Sequence, residues 1–329
     1  MEVKHRTAGA LVQRLDSSTK AAEAIAEIRL LSKHDPEMRA PLADAGAVPL
    51  LAARLLDRHH SSDAETQENA AAALLNISIS AREALMSTPG ILDALAAALR
   101  LPLAAAAQHA AATLYSLLCV DAYRPIIGSK KPLITGLVDL IRTPGASTRS
   151  IKDALKALFG LALYPLNRAA LVELGAVPPV FALVANDART GVVEDATAVI
   201  AQVAGCYESV DAFRRVDGVR VLVDLVGAST GASGRARENA AAALLNLVMS
   251  GGHKAVGDVM EVEGWEAAIT GLAGGGVTAR GKSKAEALLR VLRSERQSQP
   301  PGRDDSETGF DFSAPQTLLY SSSNSNSIG

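Results

Sequence analysis

Tryptophan occurs once in this chain of 329 residues, and all aromatic residues together make up 3%. Strand-rich folds draw more heavily on aromatic and β-branched side chains, which argues against a sandwich or barrel. Cysteine is almost as scarce. Cys119 and Cys206 stand far apart, with no partners at metal-ligand spacing. They make no disulfide framework, and both fit buried thiols in a reducing compartment. Long apolar runs are missing too: LPLAAAAQHAAATLYSLL is interrupted by Gln108 and His109, short of an uninterrupted span of about 18 residues. The opening MEVKHRTAGALVQRL has charges but no apolar stretch of the kind a secretion signal needs. A cytoplasmic or nuclear location is the expectation. Neither charge is in excess: 33 basic residues face 35 acidic ones, so bulk charge gives no support to nucleic-acid or membrane binding.

What the chain has in abundance is alanine, within a composition that is 48% hydrophobic; this favours helices and lets them approach closely. It also repeats itself. ENAAAALLNI at 68–77 returns as ENAAAALLNL at 238–247, 170 positions later. Between them lie QHAAATLYSL at 108–117, KDALKALFGL at 152–161 and EDATAVIAQV at 194–203, and KSKAEALLRV follows at 282–291. Successive steps are 40, 44, 42, 44 and 44 residues, and AEAIAEIRLL at 22–31 extends the series upstream with a step of 46.

A second pattern keeps the same beat. DAGAVPLLAARLL, STPGILDALAAAL, SKKPLITGLVDLI, ELGAVPPVFALV, RVDGVRVLVDLV and EVEGWEAAITGLA each place a Gly or Pro turn before an apolar-periodic helix. Polar loops such as RTPGASTR separate it from the longer helix, and segments such as SAREALMST and LNRAALVEL supply a short first helix. Three helices per repeat of 40–46 residues is the period of armadillo and HEAT arrays. The expected fold is all-α, a right-handed α-solenoid of six or seven armadillo repeats over residues 1–294. Residues 295–329, polar and rich in Ser, Gly and Pro, are expected to form a disordered tail.

In the long third helix, Ala70, Ala73, Leu74 and Ile77 form an apolar stripe at i, i+3, i+4 and i+7, with Leu75 on its flank. Glu68, Asn69, Ala72 and Asn76 take the opposite face, which is small or polar and suits a groove. Each repeat leaves a flank that only its neighbour covers, so the array shares one continuous core and needs a polar cap; Lys282, Lys284, Glu286 and Arg290 supply charge in the last copy.

One groove position reads Asn69, His109, Asp153, Asp195, Asn239 and Ser283 across the repeats; another reads Asn76, Ser116, Gly160, Gln202, Asn246 and Arg290. The expected protein-binding groove comprises Asn69, Asn76, His109, Ser116, Lys152, Lys156, Asp195, Gln202, Asn239 and Asn246. An asparagine amide can pair with both the donor and the acceptor of an extended peptide, or it can cap a neighbouring loop; both uses are open for Asn76 and Asn246. The middle of the groove is mixed in charge, with a basic patch only at the C-terminal cap.

The run GAVPLLAARLL … TQENAAAALLNISI … AREALMSTPGI resembles the armadillo repeats of the plant U-box/ARM family of E3 ubiquitin ligases. KAAEAIAEIRLLSKHDPEMRAPLADAGAVPLL is similar to the opening of that family's armadillo region, and GKSKAEALLRVLR to its close; the likeness covers about residues 8–294. In that family a U-box precedes the array and recruits the ubiquitin-charged E2. Here the armadillo pattern begins near residue 8, without a Cys-Pro-Ile opening. The expectation is the substrate-binding half without the E2-binding half, as a U-box-less protein or a truncated gene. Importin-type relatives pair groove asparagines with tryptophans one turn earlier. The matching positions here are Ala72, Ala112, Lys156, Ala198, Ala242 and Glu286, so a transport adaptor is disfavoured.

Catalytic chemistry finds no foothold. His59 and His60 adjoin Asp57 and Asp63 in a polar loop, which reads as solvated rather than as a metal site. GVTARGKS satisfies phosphate-loop spacing with Gly276, Gly281, Lys282 and Ser283, but follows a helix where that motif requires a strand. The expected function is a non-catalytic scaffold that binds a protein or extended peptide in its concave groove, with a ubiquitination pathway implied by the resemblance. The alternative is the substrate-recognition half of an E3 ligase whose U-box is missing here or supplied by a partner. No cofactor, metal, nucleic acid or small-molecule substrate is expected.

Overall fold

The computed structural model of the chain describes residues 2–15, 20–57, 64–102, 104–187, 189–227, 231–275 and 278–298. Among them, secondary structure consists of nineteen α-helices and one 3-10 turn. α1 (Glu2–Leu15) and α2 (Ala21–His34) open the array. The 3-10 turn Pro36–Met38 leads into α3 (Arg39–Asp44), followed by α4 (Ala47–Leu56) and α5 (Ala64–Ser78). The short–middle–long order then recurs as α6 (Arg82–Met86), α7 (Ile91–Leu99) and α8 (Ala104–Leu118), and as α9 (Tyr123–Gly128), α10 (Lys131–Arg142) and α11 (Thr148–Ala162). Next come α12 (Asn167–Glu173), α13 (Val177–Asn186) and α14 (Thr190–Val203), then α15 (Ser209–Arg214), α16 (Gly218–Val226) and α17 (Gly234–Met260). α17 joins a long helix to the next short one across a break at Gly252, φ 56° and ψ −146°. α18 (Trp265–Gly274) and α19 (Ala279–Ser298) complete the series, and α19 runs past the boundary expected at 294.

The long helices α2, α5, α8, α11, α14, α17 and α19 each pack on the next and form one row; the middle helices form a second row behind them. This is the solenoid that the repeat period implied. No single helix among the described residues is long and apolar enough to cross a membrane.

Local chemistry sets the turns. Between short and middle helices the chain passes through a left-handed residue at Gly46, Gly90, Gly175 and Gly264 (φ 77–88°), where a Cβ would be strained. In the α15–α16 turn that place is held by Asp217, φ 50°. The glycine there is displaced to Gly218, because a Cβ would lie 2.7 Å from Phe181 Cζ. Phe181 in turn stands edge-on to Phe213 at 4.9 Å between centroids. Close packing thus fixes the glycine at 218 and leaves the left-handed turn to an aspartate. Ser147 and Ser233 cap α11 and α17 by accepting the Ser150 and Ala236 N–H groups.

The stripe of Ala70, Ala73, Leu74 and Ile77 is fully buried, as its spacing demands. The opposite face is not as open as expected: Asn69 and Ala72 are buried too, at 5% and 4% exposure. The reason is tertiary. α2 and α8 flank α5 on both sides, leaving a narrow strip around Glu68 and Asn76.

Carbonyls left over at the ends of long helices are met by an arginine recurring in the short helices. Arg39 Nε donates to the Ser32 carbonyl at 2.8 Å, Arg124 Nε to Leu118 at 3.2 Å and Arg168 Nε to Ala162 at 2.9 Å. Arg82 Nε reaches forward to Ser116 at 2.8 Å.

One cysteine expectation is corrected. Cys119 is exposed, because it follows the last turn of α8, beyond the cover of neighbouring helices. Cys206 is half-buried, and burial pushes its thiol up to about 11 despite an opposing backbone hydrogen bond from Ser209.

Candidate protein-binding groove

At the C-terminal end of the long-helix row, α14, α17 and α19 enclose a groove of about 720 Å³, closed at one end by Phe159 of α11. Its floor is Ala198, Ala201 and Ala242, the small residues that let the helices approach. Of the ten residues expected at the groove, Gln202, Asn239 and Asn246 come together here. The other seven lie outside it, six on earlier repeats and Asp195 on α14 itself.

The asparagines are already engaged with the protein. Asn76 Nδ2 donates to the Arg29 carbonyl at 3.2 Å and to Ser32 Oγ at 3.1 Å. Asn239 Nδ2 donates to the Glu194 carbonyl at 3.2 Å and Thr197 Oγ1 at 3.3 Å; Asn246 Nδ2 donates to the Ala201 carbonyl at 2.7 Å. Each amide ties its helix to the preceding long helix. Their Oδ1 atoms accept no hydrogen bond from the described residues, so the capacity left to the amides of Asn76 and Asn239 is chiefly that of acceptors. Of the two uses open for Asn76 and Asn246, the tie to a neighbouring helix is the one their Nδ2 groups make in the structure.

Asn69 and Ser116 have little surface to present, at 5% and 8% exposure. Asn69 accepts from the Arg29 guanidinium, and Ser116 Oγ donates to the Ser78 carbonyl at 3.1 Å. His109 is half-buried nearby, and its Nδ1 has no hydrogen-bond partner among the described residues. Burial, then the Arg29 cation, lowers its affinity for a proton; Glu68 opposes them.

Charges in the middle of the row neutralise one another. Lys152 Nζ lies 2.9 Å from Asp195 Oδ2 and donates to the Gly191 carbonyl at 2.8 Å. Asp153 accepts from Gln108 Nε2 at 2.6 Å, with Arg149 and Lys156 about it at 3.9 and 4.0 Å. Lys156 Nζ also stands 5.9 Å above the Tyr115 ring. Gln202 Oε1 accepts from Arg168 at 3.4 Å.

The C-terminal groove differs. Glu238 is held by Thr278 Oγ1 at 2.5 Å and by Arg280 Nε at 3.2 Å. Arg235 and Lys284, on facing walls, make no hydrogen bond or ion pair with the described residues. Two cations in the groove are therefore left uncompensated by the described residues. Phe159, Arg235 and Arg280 are not among the residues expected at the groove, because one-dimensional register cannot show that α11, α17 and α19 converge.

His59, His60 and Asp63 of the suggested metal loop lie outside the described residues, among which no three His, Cys, Asp or Glu side chains converge as a metal site. Gly276 lies outside them as well. The phosphate-loop look-alike follows α18, a helix, and the Gly281 N–H is bonded to Thr278 Oγ1 at 3.1 Å as a helix cap.

The model of the plant U-box protein ARM repeat region matches residues 7–301. The chain belongs to that family. U-box domain-containing protein 16 of Arabidopsis thaliana is 36% identical over 274 residues, 81% of this chain and 38% of the relative. U-box domain-containing protein 4 of Oryza sativa subsp. japonica is 32% identical over 297 residues, 89% of this chain and 39% of the relative. The chain thus spans about two-fifths of the length of these family members. Among solved structures, an engineered protein superimposes with a TM-score of 0.75 at 24% identity, covering 87% of this chain and 68% of its own. A designed armadillo repeat protein in complex with the peptide (KR)4 gives 0.50 at 22% identity, covering 86% and 98%. These likenesses establish the armadillo fold and carry nothing about ligands.

Proposed function

We propose that the chain is a non-catalytic recognition module that binds a protein or extended peptide along its row of long helices. One observation carries the reading: the described residues converge on an open groove of about 720 Å³ with an alanine floor, the amide oxygens of Asn239 and Asn246, and two cations, Arg235 and Lys284, that pair with none of the described residues. Acceptors in register along a groove suit the N–H groups of an extended backbone. The designed armadillo protein holding a peptide supports the idea that such a fold accommodates one.

Site-specific photocrosslinking in native tissue extract tests it. A crosslinker at Ala242 should capture partners that one at the exposed Asp224 of α16, in the outer row, does not. Equal capture from both positions would remove the groove from the reading. Cytoplasm or nucleus is the proposed location, checked by fractionation of the same tissue.

A second reading, the substrate-recognition part of a U-box ligase, is favoured by the relatives, which carry U-box names and more than twice this chain's matched length. It predicts ubiquitin transfer to a captured partner only when a U-box is supplied, in cis or by another subunit. Transfer unaffected by adding a U-box counts against it.

A further inference from the structure

We propose that the cationic end of the groove is occupied by the chain's own acidic segment, residues 304–312, which competes with an outside ligand there; the regulatory consequence rests on the groove being the binding surface, whereas the contact does not.

Arg235 and Lys284 line the groove and pair with none of the described residues, and Arg280 adds a third cation beside Glu238, whose carboxylate it already neutralises. Such a site calls for carboxylates, and close to it in the chain is DDSETGFDF. Asp304, Asp305 and Glu307 fall within four residues, Asp311 follows, and Arg303 is the only neighbouring base. Phe310 and Phe312 supply apolar surface for the floor of Ala198, Ala201 and Ala242 and the Phe159 ring. In the middle of the row Lys152 pairs with Asp195, and Asp153 sits between Arg149 and Lys156, which leaves this end as the complement of an acidic strand.

The segment reaches. Lys284 and Ser298 lie on one helix, fourteen residues or about 21 Å apart at 1.5 Å per residue. An extended chain covers about 3.3 Å per residue, so from Ser298 it spans at most about 20 Å to Asp304, about 30 Å to Glu307 and about 43 Å to Asp311, and the later carboxylates have the length to reach Lys284. Tethering sets the segment's effective concentration near the groove at about millimolar, so contacts too weak to hold a free peptide suffice.

Hydrogen–deuterium exchange on the full chain at low salt tests the contact. Four proteins are compared: wild type; a groove reversal, Arg235→Glu with Lys284→Glu; a segment reversal, Asp304→Lys, Asp305→Lys and Glu307→Lys; and both reversals together. Amides of 304–312 should exchange about tenfold more slowly in wild type than in either single reversal. The combined variant should recover protection, and salt near 1 M, where the Debye length is about 3 Å, should abolish it.

Free-peptide exchange rates in the wild type would overturn the proposal. So would protection that survives the groove reversal, or no recovery in the combined variant. A glutamate-rich probe peptide should bind the segment reversal more tightly than wild type; equal affinity refutes competition. Protection that persists while crosslinking at Ala242 captures nothing refutes only the outside-ligand reading, and the converse refutes only the self-contact.

Discussion

His109 holds its proton less readily than an ordinary histidine, and the cause lies in three other repeats. Burial comes first, then the Arg29 guanidinium, with Glu68 opposing, Arg149 adding and Asp153 opposing. The folded-state value lies below the ordinary 6.5, so the fold favours the neutral ring. The stability this contributes is present above the unfolded value and is lost as pH falls through the lowered folded value. The melting temperature of the wild type should therefore fall more steeply between about pH 7.5 and 5 than that of His109→Gln, as read by calorimetry. Equal slopes would mean that the ring is not desolvated in the fold. The groove position of His109 was legible from its register with Asn69. Its environment was not, because Arg29 and Arg149 lie 80 and 40 positions away in the chain.

At the level of the helix, the asparagines act between long helices before they act on any ligand. Asn246 Nδ2 donates to the Ala201 carbonyl near the C-terminal end of α14, where helical carbonyls lack partners of their own. Asn246→Ala should cost about 1 kcal/mol, read by urea unfolding, the scale of one hydrogen bond with a part-buried partner. A cost near zero would free this asparagine for ligand duty alone. Recurrence at 76 and 246 was plain in the sequence, yet recurrence is expected of a ligand ladder and of an inter-helix tie alike. Only donor geometry separates them. The arginines at 39, 82, 124 and 168 keep the same beat, but the sequence does not show their role, since a charged residue in a short polar helix is ordinarily solvated and only the fold places these Nε atoms on carbonyls.

Across the whole array, each repeat is supported chiefly by its neighbours, which makes stability local. Leu158 of α11 is fully buried at the centre of the molecule. Leu158→Ala should remove about 2–5 kcal/mol there. Hydrogen exchange should then show amide protection falling first in α10–α12, with α2–α5 and α17–α19 still protected. A uniform fall along the chain would mean that the solenoid opens as one unit. Charge is distributed at the same scale: among the described residues it is paired in the middle of the row and left without a partner at Arg235 and Lys284.

Periodicity alone determined the element types, their order and the all-α solenoid, because an apolar stripe recurring every 40–46 residues has nowhere to be buried except against its neighbour. It also placed the asparagines in equivalent positions. What those positions do was decided by tertiary structure. Flanking helices bury Asn69 and Ser116, tie Asn76 and Asn246 to the preceding repeat, and bring Phe159, Arg235 and Lys284 to one groove. A stripe on one helix is a local property that sequence spacing encodes, whereas the solvent left to its other faces depends on how closely two further helices approach, and no spacing within one repeat encodes that distance.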